Sequence, residues 1–160
     1  MQFAVLTISD RCSDGVQQDT AGPAVVALLH REWPDAAIVT ALLRDDEFAI
    51  AAKLEESCTS GSALVFTVGG TGMSPRDRTP EATRRVLDRE APGLAEAMRA
   101  KGAERNPYAW LSRAVAGLRG STLIVNLPGS KRAAEESLET ILSLLHHALE
   151  VAAGAQEHPA

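Results

Sequence analysis

Apolar positions along this chain fall into two alternating rhythms. The stretch "FAVLTI" (3–8) is an unbroken apolar run of strand formers that stops at the polar cluster "SDRCSDG". "AAIVTALL" (36–43), "SALVFTV" (62–68) and "TLIVNLP" (122–128) repeat the pattern. Between these runs the spacing changes to that of a helix. Val25, Val26, Leu28 and Leu29 recur within 19–33, and Phe48, Ala51, Ala52 and Leu54 within 47–58. Leu138, Ile141, Leu142, Leu145 and Leu149 line one face of 131–153. Gly61 stands where a glycine ends a helix. "TPEATRRVLDRE" (79–90) predicts another helix with Thr79 as N-cap and Pro80 in its first position. Pro92-Gly93 breaks it, and "LAEAMRAKG" (94–102) is a further short helical piece. Gly120-Ser121 joins "RAVAGLR" to "TLIVNLP" as a hairpin.

Strands alternating with helices predict an α/β chain, a mostly parallel sheet covered on both sides with one antiparallel strand from the hairpin. In such open sheets ligands bind beyond the carboxyl ends of the strands. That rule selects four loops: "SDRCSDGVQQD", "RDDE", "GGTGMSPRDRT" and "PGSKR". They are also the richest in Gly, Ser, Asp and Arg.

Gly69, Gly70 and Gly72 allow close backbone approach to a ligand, and successive N–H groups there can cradle an anion, with Thr71 adding a hydroxyl. A tight corner with no ligand accounts for the glycines equally well. No P-loop or GxGxxG spacing is present. Asp77 favours a helix dipole and Asp46 suits an N-cap, so each has a structural reading. Together with Asp10, on a third loop, they make a set suited to Mg²⁺, which takes a few carboxylates plus phosphate oxygens and water. Pro128 and Gly129 turn the chain, Ser130 caps the last helix, and Lys131 puts a cation at its N-terminus. A bound anion would offset that placement; a solvated surface lysine is the plain alternative.

Composition narrows the classes. The 160 residues suit one domain, 1–160, with 45% hydrophobic and 23% charged residues. A net charge of −5 argues against nucleic acid or an acidic membrane as the main partner. Cys12 and Cys58 carry no metal spacing and read as reduced thiols of a cytoplasmic protein. The N-terminus does not read as a signal peptide, and no apolar run reaches membrane-spanning length. Trp33 and Trp110 read as packing residues, and of His146 and His147 one is expected in the core.

"SDR" (9–11), "DDE" (45–47), "GGTGMSPRDRTPEA" (69–82) and "NLPGSK" (126–131) together resemble the molybdopterin adenylyltransferase family, which shares its fold with the gephyrin G domain. The resemblance covers nearly the whole chain. It implies a three-layer α/β/α sandwich and a homotrimer. It also implies transfer of AMP from ATP to the terminal phosphate of molybdopterin, supported by Mg²⁺. Asp46 and Asp77 then match the catalytic, metal-binding carboxylates. Ser9, Asp10, Gly69, Gly70, Thr71, Gly72, Arg76, Pro128, Gly129, Ser130 and Lys131 match the pterin and nucleotide pockets. The product would pass to a molybdate-inserting enzyme. A non-catalytic carrier of molybdopterin is the alternative within the family.

Overall fold

The computed structural model describes residues 1–154; the last six residues of the expected domain lie outside them. One six-stranded sheet runs in the order β2-β1-β3-β6-β5-β4. Its strands are β1 (Gln2–Ile8), β2 (Ala37–Leu43), β3 (Leu64–Val68), β4 (Arg89–Glu90), β5 (Ala116–Arg119) and β6 (Thr122–Leu127). β2, β1, β3 and β6 are parallel neighbours. β5 is antiparallel to both β6 and β4, so it alone runs against the rest. The predicted hairpin is present, with Gly120 at φ +56° in its two-residue turn.

The unbroken apolar runs have a physical reason. β1, β3 and β6 lie inside the sheet and are buried on both faces, so neither face needs polar residues. Phe3, Val5, Phe66, Val68, Val125 and Leu127 point to one side. There they meet α2 (Ala21–Glu32), α5 (Pro92–Ala103) and α6 (Lys131–Ala152). Ala4, Leu6, Ile8, Val65 and Ile124 point to the other, against α3 (Glu47–Thr59) and α4 (Thr79–Val86). Two cores on opposite faces of one sheet make the three layers. Leu138, Ile141, Leu145 and Leu149 of α6 are buried as their spacing predicts, and truncating one such side chain to alanine costs about 2–5 kcal/mol.

Several local expectations are corrected. Thr79 is the first residue of α4, and the N-cap is Arg78, which makes no side-chain capping bond. The Thr79 hydroxyl instead donates to Gly69 O at 2.9 Å, because the loop folds back onto the helix start. The helix expected over 79–90 stops at Val86, and Arg89–Glu90 pair with β5 as a short strand, so Pro92 does not end it but opens α5, where proline suits the first turn. The buried stripe of α3 is Ile50, Leu54 and Ser57, while Phe48 is exposed, with the Arg85 guanidinium 4.8 Å from its ring centroid. Trp33 packs edge-on against Phe3, but Trp110 is exposed. His146 is exposed and rests on Trp33, and His147 is only half-buried, so neither lies in the core. The short α1 (Asp10–Ser13) and the 3-10 helix Pro107–Leu111 have no clear apolar period, and the sequence pattern does not predict them. Both cysteines are free thiols. Among the described residues no helix is long and apolar enough to cross a membrane.

Candidate functional site

The register of the parallel strands brings the four loops together. Ile8 pairs with Leu43, Thr7 with Val68, and Val68 with Leu127, so four strands end at one level. The loops that follow are tied to one another. Ser9 N–H donates to Leu43 O (2.8 Å) and Gly69 N–H to Leu127 O (3.0 Å). Asp45 N–H donates to Asp10 Oδ1 (3.1 Å).

Gly69 and Gly70 carry the tightest part of this junction. Their φ values are +110° and +66°, a region that favours glycine. A Cβ on Gly69 would overlap Ile8 O, and one on Gly70 would collide with Thr79 Oγ1 and come within 2.6 Å of Asp45 Oδ1. Packing therefore demands glycine at both positions.

Two cavities open at this edge. The smaller, about 310 Å³, is walled by the strand ends and includes Asp10, Asp19, Asp45 and Asp77. The larger, about 920 Å³, lies between the glycine loop, α5, the 3-10 helix and the start of α6. Its wall holds Arg99, Lys101, Arg105 and Arg132 against Asp77, Glu136 and Glu139. Gly70, Asp77 and Gly129 line both.

The acidic side is electrostatically loaded. Hydrogen bonding from Arg76, whose Nε lies 3.0 Å from Oδ2, holds the Asp10 carboxyl below the usual range. Asp45 is pushed up, first by burial and then by the charges of Asp10 and Asp77. Its Oδ1 is buried with no hydrogen-bond partner among the described residues. On the cationic side, Arg105 and Arg132 both donate to Glu136 Oε1, at 2.8 and 2.9 Å. Those bonds, Arg132's first, hold the Glu136 carboxyl below its ordinary range.

The expected residues distribute unevenly. Ser9, Asp10, Gly69, Gly70, Asp77 and Gly129 line the smaller cavity. Gly70, Thr71, Gly72, Asp77, Pro128, Gly129 and Ser130 line the larger. Ser130 caps α6 through Ala133 N–H, and Lys131 is exposed at its first position. Arg76 is outside both linings, paired with Asp10. Asp46 lines neither: its Oδ1 caps α3 by accepting from Ala49 N–H at 2.7 Å. The carboxylate on the cavity wall in that loop is the adjacent Asp45, which the sequence reading passed over in favour of Asp46. Among the described residues, no group of three His, Cys, Asp or Glu side chains is arranged to hold a metal ion.

Sequence reading also missed Asn126. Fully buried, it donates to Thr67 Oγ1 (2.8 Å) and Thr83 Oγ1 (2.9 Å) and accepts from Val115 N–H (3.1 Å). One amide thereby links β3, α4 and the segment leading into β5. An asparagine inside an apolar strand run is the signal that marked it.

Residues 4–147 match a family model described as a probable molybdopterin binding domain. The chain is 41% identical over 143 residues to the molybdopterin adenylyltransferase of Haemophilus influenzae, covering 88% of this chain and 73% of that one. It is 38% identical over 148 residues to the molybdenum cofactor synthesis protein cinnamon of Drosophila melanogaster, covering 92% of this chain. It spans only a quarter of that longer protein, 25% of its length. The solved structure of the molybdopterin biosynthesis enzyme MoaB from Thermus thermophilus superposes with a TM-score of 0.88 at 46% identity, covering 96% of this chain and 97% of that one. With the sheet order, the glycine junction and these likenesses in agreement, the chain belongs to the probable molybdopterin binding domain family of molybdenum-cofactor biosynthesis proteins.

Proposed function

We propose that this protein transfers AMP from ATP to the terminal phosphate of molybdopterin. The observation that carries the reading is the pair of cavities, one acidic and one of mixed charge with four Arg and Lys side chains on its wall, that meet at Gly70, Asp77 and Gly129. Two polyanions must come together in this reaction, and their repulsion and misalignment are the main obstacle. A phosphate monoester is mostly ionised at neutral pH, so the nucleophile needs no strong base. Its oxygen forms a bond to the α-phosphorus as the bond to the pyrophosphate oxygen breaks, and pyrophosphate leaves. Positioning and charge neutralisation then supply the catalysis.

The chain's residues have separate parts in that task. Backbone N–H groups of Gly70 to Gly72, with the Thr71 and Ser130 hydroxyls, hold phosphate oxygens at the shared edge. Arg76 and Lys131 line neither cavity, so to steady developing charge they would have to swing toward the bound phosphates, Arg76 by leaving Asp10. Ser9, Asp10, Gly69, Pro128 and Gly129 shape the walls. The crowding of Asp45 by Asp10 and Asp77, with a buried and unbonded Asp45 oxygen, fits a cation here, although Asp10 is itself paired with Arg76 and Arg44. Mg²⁺ uses one or two carboxylates with phosphate oxygens and water, so no preformed three-carboxylate cage is needed. Asp77 would hold it from the shared edge together with Asp46, the partner carboxylate implied by the resemblance, which lines neither cavity and would have to turn its non-capping oxygen toward the ion. When bound, the ion neutralises phosphate charge. The same reading makes the protein a cytoplasmic homotrimer that hands its product to a molybdate-inserting enzyme. Exposed Val39 and Leu42 on edge strand β2 offer apolar surface for such an assembly.

Incubation with molybdopterin, labelled ATP and Mg²⁺ tests the proposal. Adenylylated pterin with stoichiometric pyrophosphate is the expected result. Pterin binding without turnover overturns the enzyme reading in favour of a carrier.

A further inference from the structure

The loop 70–78 must keep an open shape, yet its internal bonds close only its tip. Asp77 N–H donates to Ser74 O (3.0 Å), Ser74 N–H to Asp77 Oδ2 (2.9 Å) and Arg76 N–H to Ser74 Oγ (3.2 Å). The stretch 71–73 is tied from outside, by Arg113. Its backbone N–H donates to Thr71 O at 2.8 Å and its Nε to Gly72 O at 2.7 Å. One terminal nitrogen donates to Asp77 O at 2.7 Å, and the other pairs with Glu81 in the first turn of α4.

The peg is itself fixed. Arg99 Nη1 holds the carbonyls of Ser112 and Ala114, at 3.2 and 2.9 Å, on either side of it. Val115 N–H is held by the buried Asn126. A planar guanidinium with donors in a rigid fork is thereby anchored against three acceptors of one loop and helix start.

Peptide planarity gives this clamp a consequence. In a trans peptide the N–H points opposite to the C=O. Carbonyls of Thr71 and Gly72 turned to Arg113 send the N–H groups of Gly72 and Met73 the other way. Both residues line the larger cavity. Among the described residues neither N–H donates a hydrogen bond.

We propose that Arg113 is a positioning residue that turns residues 71–77 into a receptor for a phosphate oxygen and sets Asp77 at the edge the two cavities share. It rests on the adenylyl-transfer reading for its role in rate, and on the geometry alone for its role in the loop.

Arg113→Lys keeps the charge without the fork, and Arg113→Ala removes both. Thermal unfolding, amide hydrogen exchange and transfer kinetics on the full chain test the idea. Both variants should unfold cooperatively, with exchange at the bonded amides of Ser74, Arg76 and Asp77 faster by about tenfold and the core unchanged. The kcat should fall about 100-fold while the KM for ATP changes by less than about threefold, since misplacement by an ångström has that effect. Added guanidinium should restore part of the rate to Arg113→Ala. Wild-type exchange at those three amides, or acceleration spread evenly over the chain, would overturn the proposal. Should the wild type itself transfer no AMP, the adenylyl-transfer reading fails separately, and the exchange pattern decides the role of Arg113 by the same criteria.

Discussion

The smaller cavity is walled by the ends of parallel strands, whereas the larger is walled chiefly by side chains of α5, the 3-10 helix and α6. The first is acidic and rests on backbone turns; the second is lined with arginine and lysine and rests on helix packing. They meet at a carboxylate and two glycines. Strand ends bring backbone N–H groups and short side chains into register, which suits the holding of reacting groups. Long cationic side chains on helices reach across a wider space, which suits capture of an anionic ligand. The difference suggests a division between chemistry at the shared edge and affinity in the larger room.

That division can be broken by substitution, and Asp77→Asn should have the largest effect. Transfer is expected to drop about 1,000-fold or more, with pterin affinity within a few-fold of wild type, if the residue acts on the reacting phosphates as proposed. Kinetics beside direct binding check it, and equal loss of both would remove the distinction.

Next comes the doubled aspartate. Asp46→Asn keeps an N-cap residue and removes the charge, so it should lower kcat by about 100-fold with little change in unfolding temperature. Asp45→Asn should leave a larger share of the rate. The reverse order in a steady-state assay would move the metal-holding role to Asp45.

A smaller effect is expected in the larger cavity. Arg105→Ala with Arg132→Ala should weaken binding of the anionic ligand by about tenfold and flatten its salt dependence, with kcat retained. Calorimetric titration at two ionic strengths reads this directly.

The smallest effect concerns the clamp beneath the shared edge. Burial works against the Glu81 carboxylate, but hydrogen bonding and charge from Arg113 hold it below its ordinary range. A lowered folded-state value means stability present at neutral pH and lost as the pH falls through it. Glu81→Gln should therefore unfold about 1.5 kcal/mol more easily than wild type at pH 7. The gap should close on acidification past the usual carboxylate range, as denaturant titrations across pH would record.

The two cavities also differ in how far the sequence revealed them. Strand ends announce themselves: an apolar run stops, and Gly, Ser and Asp begin, as at Val68-Gly69-Gly70 and Leu127-Pro128-Gly129. The sheet, its antiparallel strand and the meeting of the loops were legible for that reason. Arg105, Arg113 and Arg132 sit in polar stretches that any solvated helix or loop would carry, so nothing local marks them. The contacts of Arg105 and Arg113 lie 31 and 41 residues away along the chain, and Arg132 joins the first of them through Glu136, four residues on. Asp45 and Asp46 show the limit of resolution within a loop, because one residue of rotation separates a helix cap from a cavity wall. Thr79 departs from its expected role for a related reason. Its hydroxyl serves the loop, Gly69 O, and not the helix that begins with it.

The proposed transfer puts one substrate in each cavity, with reaction where the two join. A crystal structure with molybdopterin, Mg²⁺ and an ATP analogue carrying a methylene bridge between the α- and β-phosphorus would test it most directly. The α-phosphorus should lie beside Asp77, between Gly70 and Gly129, with one ligand extending into each cavity. Both ligands in one cavity, or an α-phosphorus out of reach of Asp77, would contradict it.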